Sequence, residues 1–289
     1  MIGQKSIVSM TARHWPFANG AGRFIDKFAK SIDLGNGQRQ CRTNDGFDID
    51  VFADDHIGRH LILSGEFDPS PIKILTDFGM KGDKCLDIGA NIGYVSCVII
   101  SRIQESHVFC IEPQPGIVSL LEVNLKRFPS DRWTILQAAL SDAEGEGHLE
   151  LDAINRGAST IVATASQKTV SVPLLPAAQV FSGFTSIDLI KMDIEGHEEI
   201  VFTSARDELA RLQPRVILYE DKEVKSAPDG SIAQILSKLG YQIYGIKKTL
   251  FDTKLVFVNS ENAGLFNDFI AIYLHRELPK YAKDRYLTK

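Results

Sequence analysis

From Gly82 onward, short apolar runs alternate with stretches whose apolar residues recur every three or four positions. KCLDIG (84–89), HVFCIE (107–112), WTILQAAL (133–140), DLIKMDI (188–194), PRVILYE (214–220), YQIYGI (241–246) and DFIAIYL (268–274) read as strands. Helices are predicted over 91–103, 116–128, 197–212 and 231–240, the last ended by Gly240. Strands alternating with helices predict an α/β, doubly wound, mostly parallel sheet with helices on both faces. Residues 141–187 interrupt this rhythm and read as an inserted hairpin, HLELD (148–152) against TVSVPLL (169–175).

The pattern before Gly82 differs. Residues 1–20 show no clear period, while Phe24, Ile25, Phe28 and Ile32 fall at helical spacing. Asn44-Asp45-Gly46, between alternating apolar and polar residues in 40–53, predicts a hairpin. Short helices are predicted near 55–63 and 70–79, with Pro69 and Pro71 at the second start. Two parts follow: an N-terminal arm, hairpin and helical cap over 1–81, and a ligand-binding sheet domain over 82–289.

Composition narrows the class of function. The 289 residues are 44% hydrophobic and 24% charged, as in globular proteins. No apolar run approaches the ~18 residues of a membrane span. A net charge of -5 disfavours nucleic acid as a partner. The charge is uneven: residues 1–42 hold seven Lys/Arg against Asp26 and Asp33, and the rest holds 25 basic and 35 acidic residues. The arm is therefore expected to meet the acidic body, in its own chain or across a homodimer. Cys41, Cys85, Cys97 and Cys110 form no C-x-x-C pair and read as reduced core residues. With no secretory signal pattern, a cytoplasmic location is expected.

Asp87-Ile88-Gly89-Ala90-Asn91-Ile92-Gly93 joins a strand end to a helix start, where an open α/β sheet binds nucleotide-like ligands. Gly89 lets backbone approach a ligand, Gly93 lets helix pack on strand, and the helix N-terminus offers N–H groups to an anion. Asn91 stands where a dinucleotide fingerprint has its second glycine. Asp87 would repel a pyrophosphate and attract a sulfonium. S-adenosyl-L-methionine therefore fits better than NAD. Glu112 ends the next strand, where an acid can take both ribose hydroxyls. Gln137, Ala138 and Ala139 end the third strand and would flank an adenine.

A second constellation ends the fourth strand. Asp193 and Glu195 straddle its end, Gly196 breaks it, and His197 and Glu198 open the next helix. Methyl transfer needs an aligned acceptor and a group to accept its proton. His197 suits that role by its ordinary pKa, or it is a solvent-facing helix start. Lys191 inside a buried strand needs a partner, and Glu220 is the candidate, or else a contact for substrate. The oxygens of Asp193, Glu195 and Glu220 would suit a divalent metal, but with His197 they match no specific metal motif, so a divalent metal is an open alternative that is not favoured. Ser159 and Thr160, after Arg156-Gly157, could meet a polar acceptor, and Trp15 and Phe17 could line a lid.

DIGANIG followed by IEPQPG resembles the class I S-adenosylmethionine-dependent methyltransferases, and DLIKMDIEGHE resembles the FkbM methyltransferase group. NDGF (44–47), HIGRHLILSGEFDP (56–69), RGAST (156–160), ILYE and NDFIAIY follow in that family's order. The resemblance implies a seven-stranded, Rossmann-like methyltransferase sheet with a reversed last strand. It implies O-methylation of a sugar or secondary-metabolite hydroxyl, with S-adenosyl-L-homocysteine as product. Phe67-Asp68 stands where members often carry Tyr-Glu, so any cofactor contacts there must differ. Pro113 of IEPQPG and Ala90 of DIGANIG join the implied cofactor site. The expected acceptor is a small molecule or glycan. Rival readings are an N-methyltransferase on a small-molecule or protein amine, a nicotinamide dehydrogenase, and a non-catalytic cofactor-binding protein.

Overall fold

A computed structural model describes residues 4–29, 32–150, 159–162, 166, 169–223 and 225–287. The arm is helical: α1 (Gln4–Arg13) and α2 (Ala21–Phe28) precede a hairpin of β1 (Gln38–Arg42) and β2 (Asp48–Phe52). The hairpin turns where Asn44-Asp45-Gly46 predicts. Helix α3 (His56–Ser64) starts at Asp55, whose side chain accepts the Ile57 N–H, and stops at the left-handed Gly65. Helix α4 (Pro69–Asp77) carries Pro in its first turn.

The remaining elements are β3 (Lys84–Ile88), α5 (Tyr94–Arg102), β4 (His107–Ile111), α6 (Pro115–Leu125), β5 (Trp133–Leu136), β6 (Ala139–Ser141), β7 (Gly145–Glu150), β8 (Thr160–Val162) and β9 (Thr169–Pro176). Then come α7 (Ala177–Ser182), β10 (Leu189–Met192), α8 (Glu198–Ser204), α9 (Arg206–Leu212), β11 (Val216–Glu220), α10 (Ser231–Lys238), β12 (Tyr241–Lys248), β13 (Thr253–Phe257), β14 (Asp268–Tyr273) and α11 (Lys280–Tyr286).

The main sheet runs β13-β12-β14-β11-β10-β3-β4-β5. The strands β11, β10, β3, β4 and β5 are parallel, and β14 inserts antiparallel between β11 and β12. The expected seven strands are eight, because β13 adds an antiparallel edge to β12. An edge strand half in solvent needs little apolar patterning, so β13 leaves a weak trace in the sequence.

Each sheet face has its own core. Helices α4, α5 and α6 cover one face, and Phe47, Ile49, Val51 and Leu61 from the hairpin and α3 continue that core. Helices α7 to α10 cover the other with Phe181, Phe202, Leu209 and Leu236. The predicted helix 197–212 is two helices meeting at Ala205, where φ -91° and ψ 11° leave helical values.

Two expectations change form. The predicted third strand divides: β5 stays in the main sheet, and Ala138 turns the chain by donating its N–H to the Leu136 carbonyl at 3.2 Å. The inserted hairpin is part of a second, four-stranded sheet, β6-β9-β7-β8, in which β6 lies parallel to β9. Arg156 and Gly157 of the RGAST stretch, and the end of HLELD at 151–152, lie outside the described residues.

The arm packs on its own chain. Val8, Ile25 and Leu63 share a small apolar cluster, and Arg59 donates to the Ala29 and Ile32 carbonyls. Asn19 donates to the Thr249 carbonyl at 2.7 Å, tying the arm to the β12–β13 hairpin. No helix among the described residues is long and apolar enough to cross a membrane.

Candidate functional site

A cleft of about 1120 Å³, including solvent at its mouth, opens over the carboxyl ends of β3, β4 and β10. Its floor is the β3–α5 turn. Gly89 sits at φ +75°, and a Cβ there would stand 1.9 Å from the Asp193 carbonyl oxygen. Glycine is needed because the two strand ends approach so closely. Gly93 faces away from the cleft, and a Cβ there would meet Leu121 Cδ1 of α6 at 2.6 Å. Its tight packing is against a helix, not the expected strand.

Most N–H groups of the turn are already used. Those of Gly89 and Ala90 donate to the Ile111 carbonyl, Asn91 donates to Glu112 Oε2 at 2.9 Å, and Ile92 donates to Asn91 Oδ1. Only the first turn of α5, at Tyr94 and Val95 on the cleft wall, retains the helix-end donors expected for an anion.

Asp87 departs furthest from expectation. It is fully buried and does not line the cleft. Its Oδ2 accepts from Ser96 Oγ at 2.6 Å, and its Oδ1 stands 3.1 Å from Lys191 Nζ in an ion pair too bent for a hydrogen bond. Lys191 also donates to the Gly89 carbonyl at 2.7 Å. The buried partner of Lys191 is therefore Asp87 and not Glu220. The two lie side by side because β3 and β10 pair with Asp87 opposite Lys191. Asp87 acts on the turn through Lys191 and presents no charge to a ligand.

Glu112 does reach the cleft. Its two oxygens accept from the Asn91 and Gln114 N–H groups at 2.9 and 3.0 Å, which fixes the carboxylate and leaves lone pairs toward the opening. Burial nonetheless raises its pKa. Pro113, Ala90, Ala138 and Ala139 join it on the wall, with Phe67 closing one end. Asp68 does not line the cleft. Lys248 bridges it at 2.7 Å to Asp268 at 2.8 Å. Its backbone turns away at φ 36°, the left-handed start of α4.

The DIEG turn brings Asp193, Glu195 and His197 to the lining of the same cleft. Glu195 adopts φ 51°, a conformation unusual for a side-chain residue and found at functional turns. The buried Glu198 holds the turn by accepting the Ile194 N–H at 3.0 Å. Asp193, Glu195 and Glu220 each place a carboxylate oxygen within 4.8 Å of the others. Lys222 threads this group, 2.7 Å from Glu195 and 3.1 Å from Glu220. Asp193 projects into the cleft and accepts no hydrogen bond from any described side chain or N–H group. Its side chain is open to the cleft, yet the surrounding protein partly desolvates it, and this, with the Glu195 and Asp268 carboxylates, raises its pKa against the pull of Lys191 and Lys222. Glu220 lies behind, off the cleft wall, pushed up to about 7 by burial and by Asp193.

His197 faces the opposite flank. Its Nε2 is 3.4 Å from Ser141 Oγ, beside the corner at Ala138–Leu140, and burial lowers its pKa. It is therefore separated from the carboxylates with which the sequence groups it. Sequence reading missed Lys222, whose only signal is a lysine two positions beyond a strand-end acid. It also missed Ile57 and Gln114 on the wall. Ser159 lines the cleft, whereas Thr160 does not, and Trp15 and Phe17 line a separate cavity in the arm.

Glu112→Gln is expected to weaken binding of an S-adenosyl ligand by about tenfold or more, since an amide nitrogen cannot accept from a backbone N–H. Isothermal titration with S-adenosylhomocysteine measures this, and unchanged affinity removes Glu112 from the binding site.

The model of the family described as "Methyltransferase FkbM domain" matches residues 87–243, more than half of the chain. No curated protein matches. Among solved structures, a precorrin-6y C5,15-methyltransferase from Geobacter metallireducens is 15% identical, with a TM-score of 0.41 over 73% of this chain and 91% of its own. A TehB-like SAM-dependent methyltransferase from Corynebacterium glutamicum is 12% identical, with a TM-score of 0.43 over 74% and 92%. A SAM-dependent methyltransferase from Aquifex aeolicus is 16% identical, with a TM-score of 0.38 over 71% and 88%.

Proposed function

The chain belongs to the FkbM methyltransferase family, and we propose that it methylates a hydroxyl of a sugar or small metabolite from S-adenosyl-L-methionine. The observation that carries this reading is the Asp193 carboxylate, exposed on the wall of an acidic cleft and accepting no hydrogen bond from the described residues. The residues present fit the cofactor. Glu112, Asp193 and Glu195 outnumber Lys191 on the wall, which suits a cation, and Lys191 is already paired. Glu112 is fixed to accept two vicinal hydroxyls. Ala138 and Ala139 leave room for a flat ring, with Ile88, Ile111 and Leu140 supplying apolar contact. When bound, the sulfonium cofactor supplies an electrophilic methyl group.

Asp193 would take the acceptor's proton as the new bond forms. Lys222 holds Glu195 and Glu220 in place and offsets their charge. That partial offset weakens the advantage a cationic amine would otherwise find there, and a hydroxyl acceptor is the one proposed. Binding is tested by isothermal titration with S-adenosyl-L-methionine. Methyl transfer is tested with labelled cofactor against hydroxyl and amine acceptors. Absence of cofactor binding overturns the proposal, and turnover with amines alone overturns the hydroxyl assignment.

The carboxylates also set a pH dependence. A base must be ionised, so kcat/KM is expected to rise with pH as Asp193, whose pKa is raised, loses its proton, and Glu220, pushed up to about 7, titrates beside it. Glu220→Gln removes a negative neighbour from Asp193, lowers the Asp193 pKa, and should move the rising limb toward acid. A pH–rate profile of the variant checks this, and an unmoved limb shows that the two groups are uncoupled.

A further inference from the structure

Phe67 separates the cleft from a second cavity, enclosed by the arm and α3. Three donor side chains converge on its wall. His56 and His60 project from one face of α3, four positions apart, and Asp26 comes from α2. Asp26 Oδ1 is 2.9 Å from His60 Nε2 and 3.9 Å from His56 Nδ1. One donor atom from each residue lies within 4.8 Å of the other two. Donors around a tetrahedral zinc, about 2.0–2.1 Å from the ion, stand about 3.3 Å apart, between the two observed distances.

We propose that Asp26, His56 and His60 bind a divalent first-row transition ion, with its remaining coordination position open to this cavity. A simple histidine–carboxylate pair would need only His60. Here a second imidazole nitrogen stands 3.9 Å from the same carboxylate oxygen. Phe67 stands edge-on to both rings, at 5.6 Å and 89° to His56 and 5.5 Å and 83° to His60. Gly22 lets α2 close on the site, since a Cβ there would be 3.3 Å from His60 Cε1. The rings are thus oriented by packing before any ion arrives.

Two imidazoles and one carboxylate suit zinc or iron(II), whereas magnesium and calcium take oxygen donors. Asp26, Glu66 and Asp68 outnumber Arg23 and Lys248 on the cavity wall, so its charge does not oppose a cation. The other converging group, Asp193, Glu195 and Glu220, offers only oxygens and already holds Lys222. Metal binding across Phe67 is independent of methyl transfer in the cleft.

The test uses the full chain, stripped with chelator and titrated with Co²⁺ by visible absorption, with Zn²⁺ as competitor. One equivalent should bind per chain and shift the His56 and His60 proton resonances. His56→Ala and Asp26→Asn should each weaken binding by about 100-fold. Both side chains are more than a third exposed, at 38% and 51%, so neither change removes a core residue. Failure of Co²⁺ and Zn²⁺ to bind, or full affinity in both variants, overturns the assignment.

Discussion

Asp193→Asn is expected to lower kcat for methyl transfer by about 10²–10⁴-fold, the range that a positioned general base contributes. The amide keeps the shape of the carboxylate and cannot take a proton. Its backbone N–H still donates to the Ile88 carbonyl at 3.1 Å, so the strand end should hold. Cofactor affinity should fall far less than kcat, because Glu112 and the apolar wall are untouched. Single-turnover transfer from labelled cofactor separates the two effects. If kcat changes less than tenfold, proton transfer does not pass through Asp193, and alignment of the acceptor alone supplies the rate.

Lys191→Met should destabilise the protein by about 3–5 kcal/mol, the usual effect of leaving one member of a buried ion pair without the other. Asp87 is fully buried, and Lys191 is 8% exposed, so water cannot replace the lost partner. At about 2–4 °C per kcal/mol, the thermal midpoint should fall by roughly 10 °C. The Gly89 carbonyl also loses its 2.7 Å donor, so the cofactor turn should loosen and S-adenosylhomocysteine affinity should fall. Adding Asp87→Asn should recover much of the stability, because the uncompensated charge is then gone. Chemical denaturation of the single and double variants measures both terms. Additive losses would show that the pair is not coupled.

These two residues show where a linear reading reaches and where it stops. DIGANIG and MDIEGHE mark both strand ends, because short parallel strands are buried on both faces and the glycines that follow them break the apolar runs. Glu112 was equally legible, as a strand-end acid beside a glycine-rich turn. The role of Asp87 was not. Its motif position suggests contact with ligand, but register sets it opposite Lys191, and a buried lysine takes the nearest carboxylate. Likewise Asp193, Glu195 and His197 are neighbours in the chain, yet the left-handed Glu195 and Gly196 turn His197 to the other flank.

The arm offers a similar contrast. Its basic charge is visible in composition, but its anchoring is specific and partly uncharged: Asn19 reaches the β12–β13 hairpin more than 200 residues away. The convergence of Asp26 with His56 and His60 depends on α2 packing across α3, and no spacing rule joins residues on separate helices.

By itself the sequence determined the alternating strands and helices, the two glycine-marked strand-end turns and the acids that end the strands. These follow from periodicity and local backbone preference, which act over a few residues. Tertiary structure alone decided the eighth strand, the second sheet, the partner of Lys191, the convergence of Glu220 on Asp193 and Glu195, and the donor cluster in the arm. Each depends on contacts between distant segments, where register and packing, not local preference, fix which charges meet.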